Sequence, residues 1–400
     1  MRRGFLSMAT LKSETITTPR PLKIVLIAGE DSGDLLGASL MQAIQKQSNR
    51  PVEFHGLGGA KMVAKGLQPF FPIDGLNLLG LVEIVGSLWM VKKKLNQAVD
   101  AIFQADPDVV VTIDLPGFNK RLAKKLQAAQ IKAPLIHYVA PTVWAWRPSR
   151  AQKFKKLFDK ILCLYPFEEP YFNDENTQQA VFTGHPLVFS AEIGVAERFH
   201  KKHKTDSSHD LVALLPGSRK NEVERLLPVY KEVVLYLQQK KPNISVVIPV
   251  VAHLKDKIQK EVCAWPVPVY IVAEEGRSDA YAACAVALAA SGTVALELAR
   301  AKLPMIIAYK VSWLTAVIAR RLLKIKFACL LNILAGKEIV PEFLQERCVP
   351  ETIALKLLGL IESQKQRDGQ IKNTQESLTL LKGDNHYASE RAAQEVLKLC

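Results

Sequence analysis

The chain has 400 residues, 48% of them apolar, which is enough for two ordinary domains that each bury a core and excludes a disordered protein. Lys and Arg number 53 against 39 Asp and Glu, and this net charge of +14 draws the protein toward anionic partners without choosing among phosphates, nucleic acid and acidic membrane. The six cysteines are scattered, with no CxxC pair and no His at zinc-ligand spacing; reduced thiols are expected, and neither a disulfide framework nor a metal site.

Residues 1–21 read as a disordered lead-in. The apolar stretch after Arg2 and Arg3 is too short for a signal-peptide core, and the Ser, Thr and Arg content leaves an organelle-targeting peptide as the other reading. No run reaches the ~18 uncharged apolar residues of a spanning helix, so membrane contact is expected to be peripheral.

Lys23–Ala28 reads as a strand, Gly29–Asp34 as a loop and Leu35–Gln47 as a helix. The loop lacks the GxGxxG spacing and carries acids where a pyrophosphate would approach, which disfavours a nicotinamide cofactor; no cofactor is called for. Gly33 lets a substrate near the backbone, while Glu30, Ser32 and Asp34 suit either sugar hydroxyls or helix N-caps. After a strand at Val52–Gly56, Leu76–Val91 is apolar with one acid, and Lys92-Lys93-Lys94 follows at once. It reads either as an interfacial segment for anionic lipid, presenting Leu78, Leu79, Leu81, Val82, Ile84, Val85 and Trp89, or as a buried core helix with a solvated end. Trp313–Leu331 is a second basic and apolar stretch.

Strand Pro107–Ile113 ends on Asp114, the best-placed base in the first half, the other reading being an N-cap of the helix from Phe118, which the intervening Pro116 and Gly117 make awkward. Strand Leu135–Val139 leads to Trp144, Trp146 and Arg147, and the tryptophans suit either an aromatic wall for sugar and acyl chains or a plain core. The polar stretch Lys201–Asp210 marks the expected domain boundary, which divides the chain into 22–205 and 206–400.

The pattern then restarts with strand Leu211–Leu215, loop Pro216–Arg219 and helix Asn221–Gln239, followed by strands Ser245–Val250, Val269–Val272, Val286–Ala290 and Pro304–Tyr309. Gly217, Ser218 and Arg219 offer amides and a cation to a diphosphate, the other reading being an ordinary turn with an exposed Arg. Ser291, Gly292 and Thr293 open another helix with hydroxyls for phosphate oxygens, and Glu297, one turn on, suits ribose hydroxyls, the other reading being a solvated helix residue or a partner of the helix dipole. The fold class is α/β: two facing Rossmann-like doubly wound domains with a cleft between them.

These loops resemble the lipid-A-disaccharide synthase family. The matching segments are Gly29–Asp34, Leu79–Glu83, Ile113–Asn119, His137–Arg147, Pro166–Glu168, Gly184–Pro186, Leu214–Arg219, Ala290–Glu297 and Asn332–Gln345, in unbroken order from about Pro21. The resemblance implies a glycosyltransferase of the GT-B type, peripheral on the cytoplasmic face of the inner membrane. It implies transfer of 2,3-diacylglucosamine from UDP to 2,3-diacylglucosamine 1-phosphate (lipid X), with inversion. It further implies that Asp114 is the catalytic base, that Arg219 serves the UDP, that Glu297 holds the ribose, and that Asn332 and Gln345 lie on the donor side. Glu30, Ser32, Gly33, Asp34, Trp144 and Arg147 would form the acceptor side. The last helices would pack back on the first half or exchange between the subunits of a homodimer.

The chain departs from the family pattern at Asp31, Gly117, Ala140, Thr142 and Leu331, and Leu331 bears on the loop around Asn332. Two rival readings remain. A UDP-N-acetylglucosamine 2-epimerase would share the architecture without needing an apolar landing surface. A nucleic-acid-binding module is opposed by the spread of the charge and the lack of a known motif.

Overall fold

The computed structural model describes residues 20–71, 88–146, 148–189, 193–206, 208–313, 316, 325–384 and 387–400. Residues 1–19 of the expected lead-in and the apolar positions Leu78, Leu79, Leu81, Val82, Ile84 and Val85 lie outside them, as do Arg147 and most of Trp313–Leu331. Trp89 falls within the helix Leu88–Ala105, but its side chain is outside the description.

Two parallel sheets form the chain's framework. The first has seven strands: β1 (Leu22–Ile27), β2 (Val52–Leu57), β3 (Leu67–Pro69), β4 (Val109–Ile113), β5 (Leu135–Tyr138), β6 (Lys160–Cys163) and β7 (Ala180–Phe182), in the order β3-β2-β1-β4-β5-β6-β7. The second has six: β8 (Asp210–Leu215), β9 (Ile244–Pro249), β10 (Val269–Val272), β11 (Val286–Ala289), β12 (Met305–Tyr309) and β13 (Glu342–Leu344), in the order β10-β9-β8-β11-β12-β13. The central strands read as continuous apolar runs because helices cover both faces; all of Val109–Ile113 is buried. β3, β6, β7 and β13 are too short, at three or four residues, to have been picked out by periodicity.

In each sheet the strand order reverses once, between β1 and β4 and between β8 and β11. Those two points are where the crevices of doubly wound sheets open. The four loops that leave β1, β4, β8 and β11 carry Glu30, Asp114, Arg219 and Ser291–Thr293, so topology alone gathers these candidates at the carboxyl edges of the sheets.

One expected loop boundary moves, and the polar stretch before the second half is partly helical. The helix Asp31–Gln47 begins directly after Glu30, so Asp31, Ser32, Gly33 and Asp34 are helical and not loop. Part of the polar stretch Lys201–Asp210 belongs to the helix Ala196–His203, whose Phe199 packs with Leu211, Val247, Val272 and Ala280 of the second half. The final helix, Ala388–Leu397, lies against Asp31–Gln47, tied by Lys46 to Glu390 at 3.0 Å and by Lys160 to Glu395 at 3.5 Å.

Candidate active site

β4 does not end in a standard turn. Asp114 and Leu115 both take positive φ, 52° and 45°, a conformation in which an L-residue's Cβ crowds the backbone. Three bonds hold the pair. The Asp114 N–H donates to the Tyr138 carbonyl at 2.9 Å, and the fully buried Asn119 donates from Nδ2 to the carbonyls of Asp114 at 2.6 Å and Ile113 at 3.4 Å. Pro116 then starts the helix Pro116–Ala128, where its fixed φ fits the first turn. The strained corner fixes where the Asp114 carboxylate stands.

Burial lifts the Asp114 pKa above the ordinary aspartate value, with the Leu115 N–H pulling the other way. Glu30, at the head of the helix from β1, is also raised, first by its own partial burial and next by the charge of Asp114; Arg219 opposes the shift. Two carboxylates from the first half thus share one electrostatic neighbourhood with a guanidinium from the second. The cleft is built by both halves.

In the second half, Gly217 sits at φ 109°, and a Cβ there would lie 2.4 Å from Glu222 Oε2, so no other residue fits. Arg219 heads the helix Lys220–Lys240 with 82% of its side chain exposed, and its Nη1 lies 3.6 Å from Glu222 Oε1. Tyr309 Oη donates to the same Glu222 oxygen at 3.2 Å. Gly292, at φ 137°, has open space where a Cβ would be, so its requirement is conformational. Beside it, Ser291 Oγ donates to the Ala328 carbonyl at 2.8 Å, and Thr293 is exposed at the head of the helix Val294–Arg300.

Glu297 lies one turn into that helix. Arg277 Nε is 3.4 Å from its Oε2, and Tyr281 Oη donates to the same oxygen at 3.5 Å. Burial raises the Glu297 pKa, and Arg277 is the first of the charges that pull it back. Arg277 and Tyr281 belong to the preceding helix, Arg277–Ala283, and sequence reasoning missed them because no local motif connects them to Glu297.

A family model described as "Lipid-A-disaccharide synthetase" matches residues 24–396. The lipid-A-disaccharide synthase of Rhodospirillum centenum is 41% identical over 382 residues, covering 95% of each chain. The chain belongs to the lipid-A-disaccharide synthase family. Among solved structures, the UDP-GlcNAc 2-epimerase of Neisseria meningitidis bound to UDP-GlcNAc aligns with a TM-score of 0.62 at 13% identity, covering 94% of this chain and all 100% of that one. A glycosyltransferase from Rickettsia africae aligns at 0.57 and 11%, covering 95% and 99%. These likenesses show the fold, which is of the GT-B type, and family membership makes the enzyme a glycosyltransferase; the epimerase alternative keeps only the shared architecture.

The structure takes several residues of this family member away from the acceptor and donor sides, and for Asp34 and Trp144 it selects capping and core, the other readings that the sequence offered. Both oxygens of the buried Asp34 accept backbone N–H groups, from Lys61 at 2.9 Å and Met62 at 3.0 Å, and so cap the short helix Ala60–Val63. Gly33 serves helix-to-strand packing: a Cβ there would lie 3.3 Å from that of Ala28. Ser32 stays exposed in the first turn. Trp144 is core and not cleft wall, since its buried Nε1–H donates to Glu168 Oε1 at 3.2 Å and Phe167 packs edge-on at 5.0 Å. Glu168 also accepts from the N–H groups of Leu164 and Tyr165, and burial pushes its carboxyl up to about 8.

On the donor side, Asn332 is fully buried and spends its whole hydrogen-bonding capacity within the protein. Its Nδ2 donates to Val340 O at 2.8 Å and Glu342 Oε1 at 2.7 Å, while its Oδ1 accepts from Ile339 and Val340 at 2.8 and 2.9 Å. It organises the loop and leaves nothing for a substrate. Leu331 is buried in the first turn of the helix Leu330–Ala335, where N–H groups have no intrahelical partner, so Leu and Pro are both accommodated. Gln345 is half-buried at the carboxyl end of β13, at φ 54°. Gly117 is exposed with open space around it, so its departure from the family pattern is sterically free.

Proposed function

We propose that Asp114 takes the proton from the 6-hydroxyl of 2,3-diacylglucosamine 1-phosphate as that oxygen attacks the anomeric carbon of UDP-2,3-diacylglucosamine from the face opposite UDP. The product is the β-1′,6-linked disaccharide 1-phosphate, and UDP leaves with the bonding pair. The observation that carries this reading is the shared neighbourhood of Asp114, Glu30 and Arg219 across the two halves. A desolvated carboxylate is a stronger base than an exposed one, and general-base help is worth about 10²–10⁴ in rate.

Arg219 and the amides of Gly217 and Ser218 stabilise the departing diphosphate, Ser291, Gly292 and Thr293 take its remaining oxygens, and Glu297 grips the ribose hydroxyls. Gln345 stands at the same sheet edge, on the donor side. Glu30 bonds acceptor hydroxyls beside Asp114, with Ser32 next to it.

Peripheral attachment to the cytoplasmic face of the inner membrane fits two acylated substrates. No helix among the described residues is long and apolar enough to cross a membrane. Sedimentation with anionic vesicles at low salt tests the attachment, and light scattering tests the homodimer.

The deciding experiment measures UDP release from UDP-2,3-diacylglucosamine in micelles, with and without the acylated 1-phosphate acceptor. Acceptor-dependent release with a β-linked product is expected; a product of retained configuration overturns the single displacement.

A further inference from the structure

The reaction needs two phosphate sites. The donor's diphosphate has the helix starts and Arg219 of the second half. The acceptor carries a phosphate of its own on C1, which only the ring oxygen separates from C5, the carbon that bears the 6-hydroxymethyl arm, and the residues of the donor site do not account for it. The end of β1 is no help, because Glu30 and Asp31, at the head of the helix that follows, would repel it.

The other side of Asp114 is different. From Leu115 to Phe158 the sequence contains ten Lys or Arg and no Asp or Glu, in a chain whose whole net charge is +14. The structure folds that stretch so that part of the charge converges. The helix Pro116–Ala128 buries Phe118, Leu122 and Leu126, which leaves Lys120 and Lys124, one turn apart, on its other face. The helix Arg150–Lys155 buries Ala151 and Phe154 and turns Arg150 and Lys153 outward. Gln127 Nε2 donates to Lys156 O at 3.1 Å and fastens the two helices together. Lys120 is half-buried; its burial, and then Lys124, Arg150 and Lys153, hold its ammonium pKa below the ordinary lysine value. Such a cluster of like charge is costly when empty and is relieved by a dianion.

Position matches as well. Lys120 lies four residues into the helix that begins just after Asp114, about 6 Å of helical rise. A flexible lysine at that distance spans the few ångströms between the 6-hydroxyl and the phosphate on C1 of one hexose.

We propose that the cationic face centred on Lys120 and Lys153, with Lys124 and Arg150 beside them, binds the phosphate monoester of the acceptor sugar. The proposal rests on Asp114 receiving the 6-hydroxyl, which fixes where the phosphate on C1 of the same ring stands. The same chemistry would also suit phosphodiester headgroups of a bilayer, so the test separates the two sources.

In micelles of a neutral detergent, kcat/KM is measured for the acylated 1-phosphate acceptor and for the same sugar lacking the phosphate, with Lys120→Ala, Lys153→Ala, the double variant and the matching Arg variants. The preference for the phosphorylated acceptor is expected to fall about tenfold for each lysine lost, through KM, and to return in large part with Arg. An unchanged preference overturns the site. In a second arm, vesicles of phosphatidylglycerol are sedimented with the same proteins. Loss of vesicle binding with the acceptor preference intact also overturns the proposal and assigns the face to bilayer headgroups. Asp114→Ala on both acceptors tests the base reading separately, since failure there leaves turnover unchanged whatever the lysines do.

Discussion

At the switch point of the first sheet the chain leaves β4 through Asp114 and Leu115, two side-chain-bearing residues at φ 52° and 45°. At the switch point of the second sheet the corresponding turns use Gly217 and Gly292, at 109° and 137°. Both corners need left-handed backbone, yet only one sheet uses the residue that adopts it at no steric cost. The difference follows from what each corner presents. In the proposed reaction the second half offers backbone amides and helix starts to an anion, for which a side chain at the turn is an obstruction. There the first half presents the Asp114 carboxylate at the turn itself, at about 1–2 kcal/mol of strain per residue, with the buried Asn119 holding the corner.

That contrast can be broken in several places. The largest effect is expected from Asp114→Ala, which should lower turnover by about 10²–10⁴ while UDP still binds, as read by steady-state kinetics beside calorimetry with UDP. Because burial raises its folded pKa, Asp114 takes up its proton at higher pH than an exposed aspartate does. The acid limb of kcat/KM should therefore lie above that of an exposed aspartate and vanish in the variant.

Asn119→Ala removes the clamp on the strained corner. A loss of roughly 10²-fold in kcat is expected, as for an ångström of misplacement, with about 1–3 kcal/mol of stability. Full activity would mean that the corner holds itself.

Gly292→Ala sharpens the comparison from the other half. Open space surrounds that position, so any cost is backbone strain, about 1–3 kcal/mol, and it should appear as weaker UDP binding with the acceptor KM unmoved. Arg277→Ala should weaken UDP about tenfold by freeing the Glu297 carboxylate, and the effect should disappear with 2′-deoxy-UDP. An equal loss with both nucleotides would make Arg277 a purely structural residue.

The smallest effect belongs to Gly117→Ala. This glycine also has open space around it but sits in helical backbone, so alanine should stabilise by about 0.4–1 kcal/mol, measured as a small rise in Tm.

The long apolar strands, the loops that end them and the charge balance were all readable from neighbouring residues, because strand burial and turn chemistry act over a few positions. So were Asp114, Arg219 and Glu297 as candidates, since each stands at a fixed offset from a strand end. The short outer strands were not, because three residues carry no period. Nor were the fates of Asp34, Trp144 and Asn332: each is a polar group that looks available in sequence and is consumed by a partner brought in by the fold. Asp34 bonds across 27 and 28 positions and Trp144 across 24. Asn332 needs only 7 to 10, but across the turn that follows its helix. The sequence by itself determined two doubly wound halves and which loops stand at their carboxyl edges. Only the tertiary structure decided which polar side chains in those loops remain free, because a buried donor or acceptor goes to whatever partner packing brings within about 3 Å, and packing is not local.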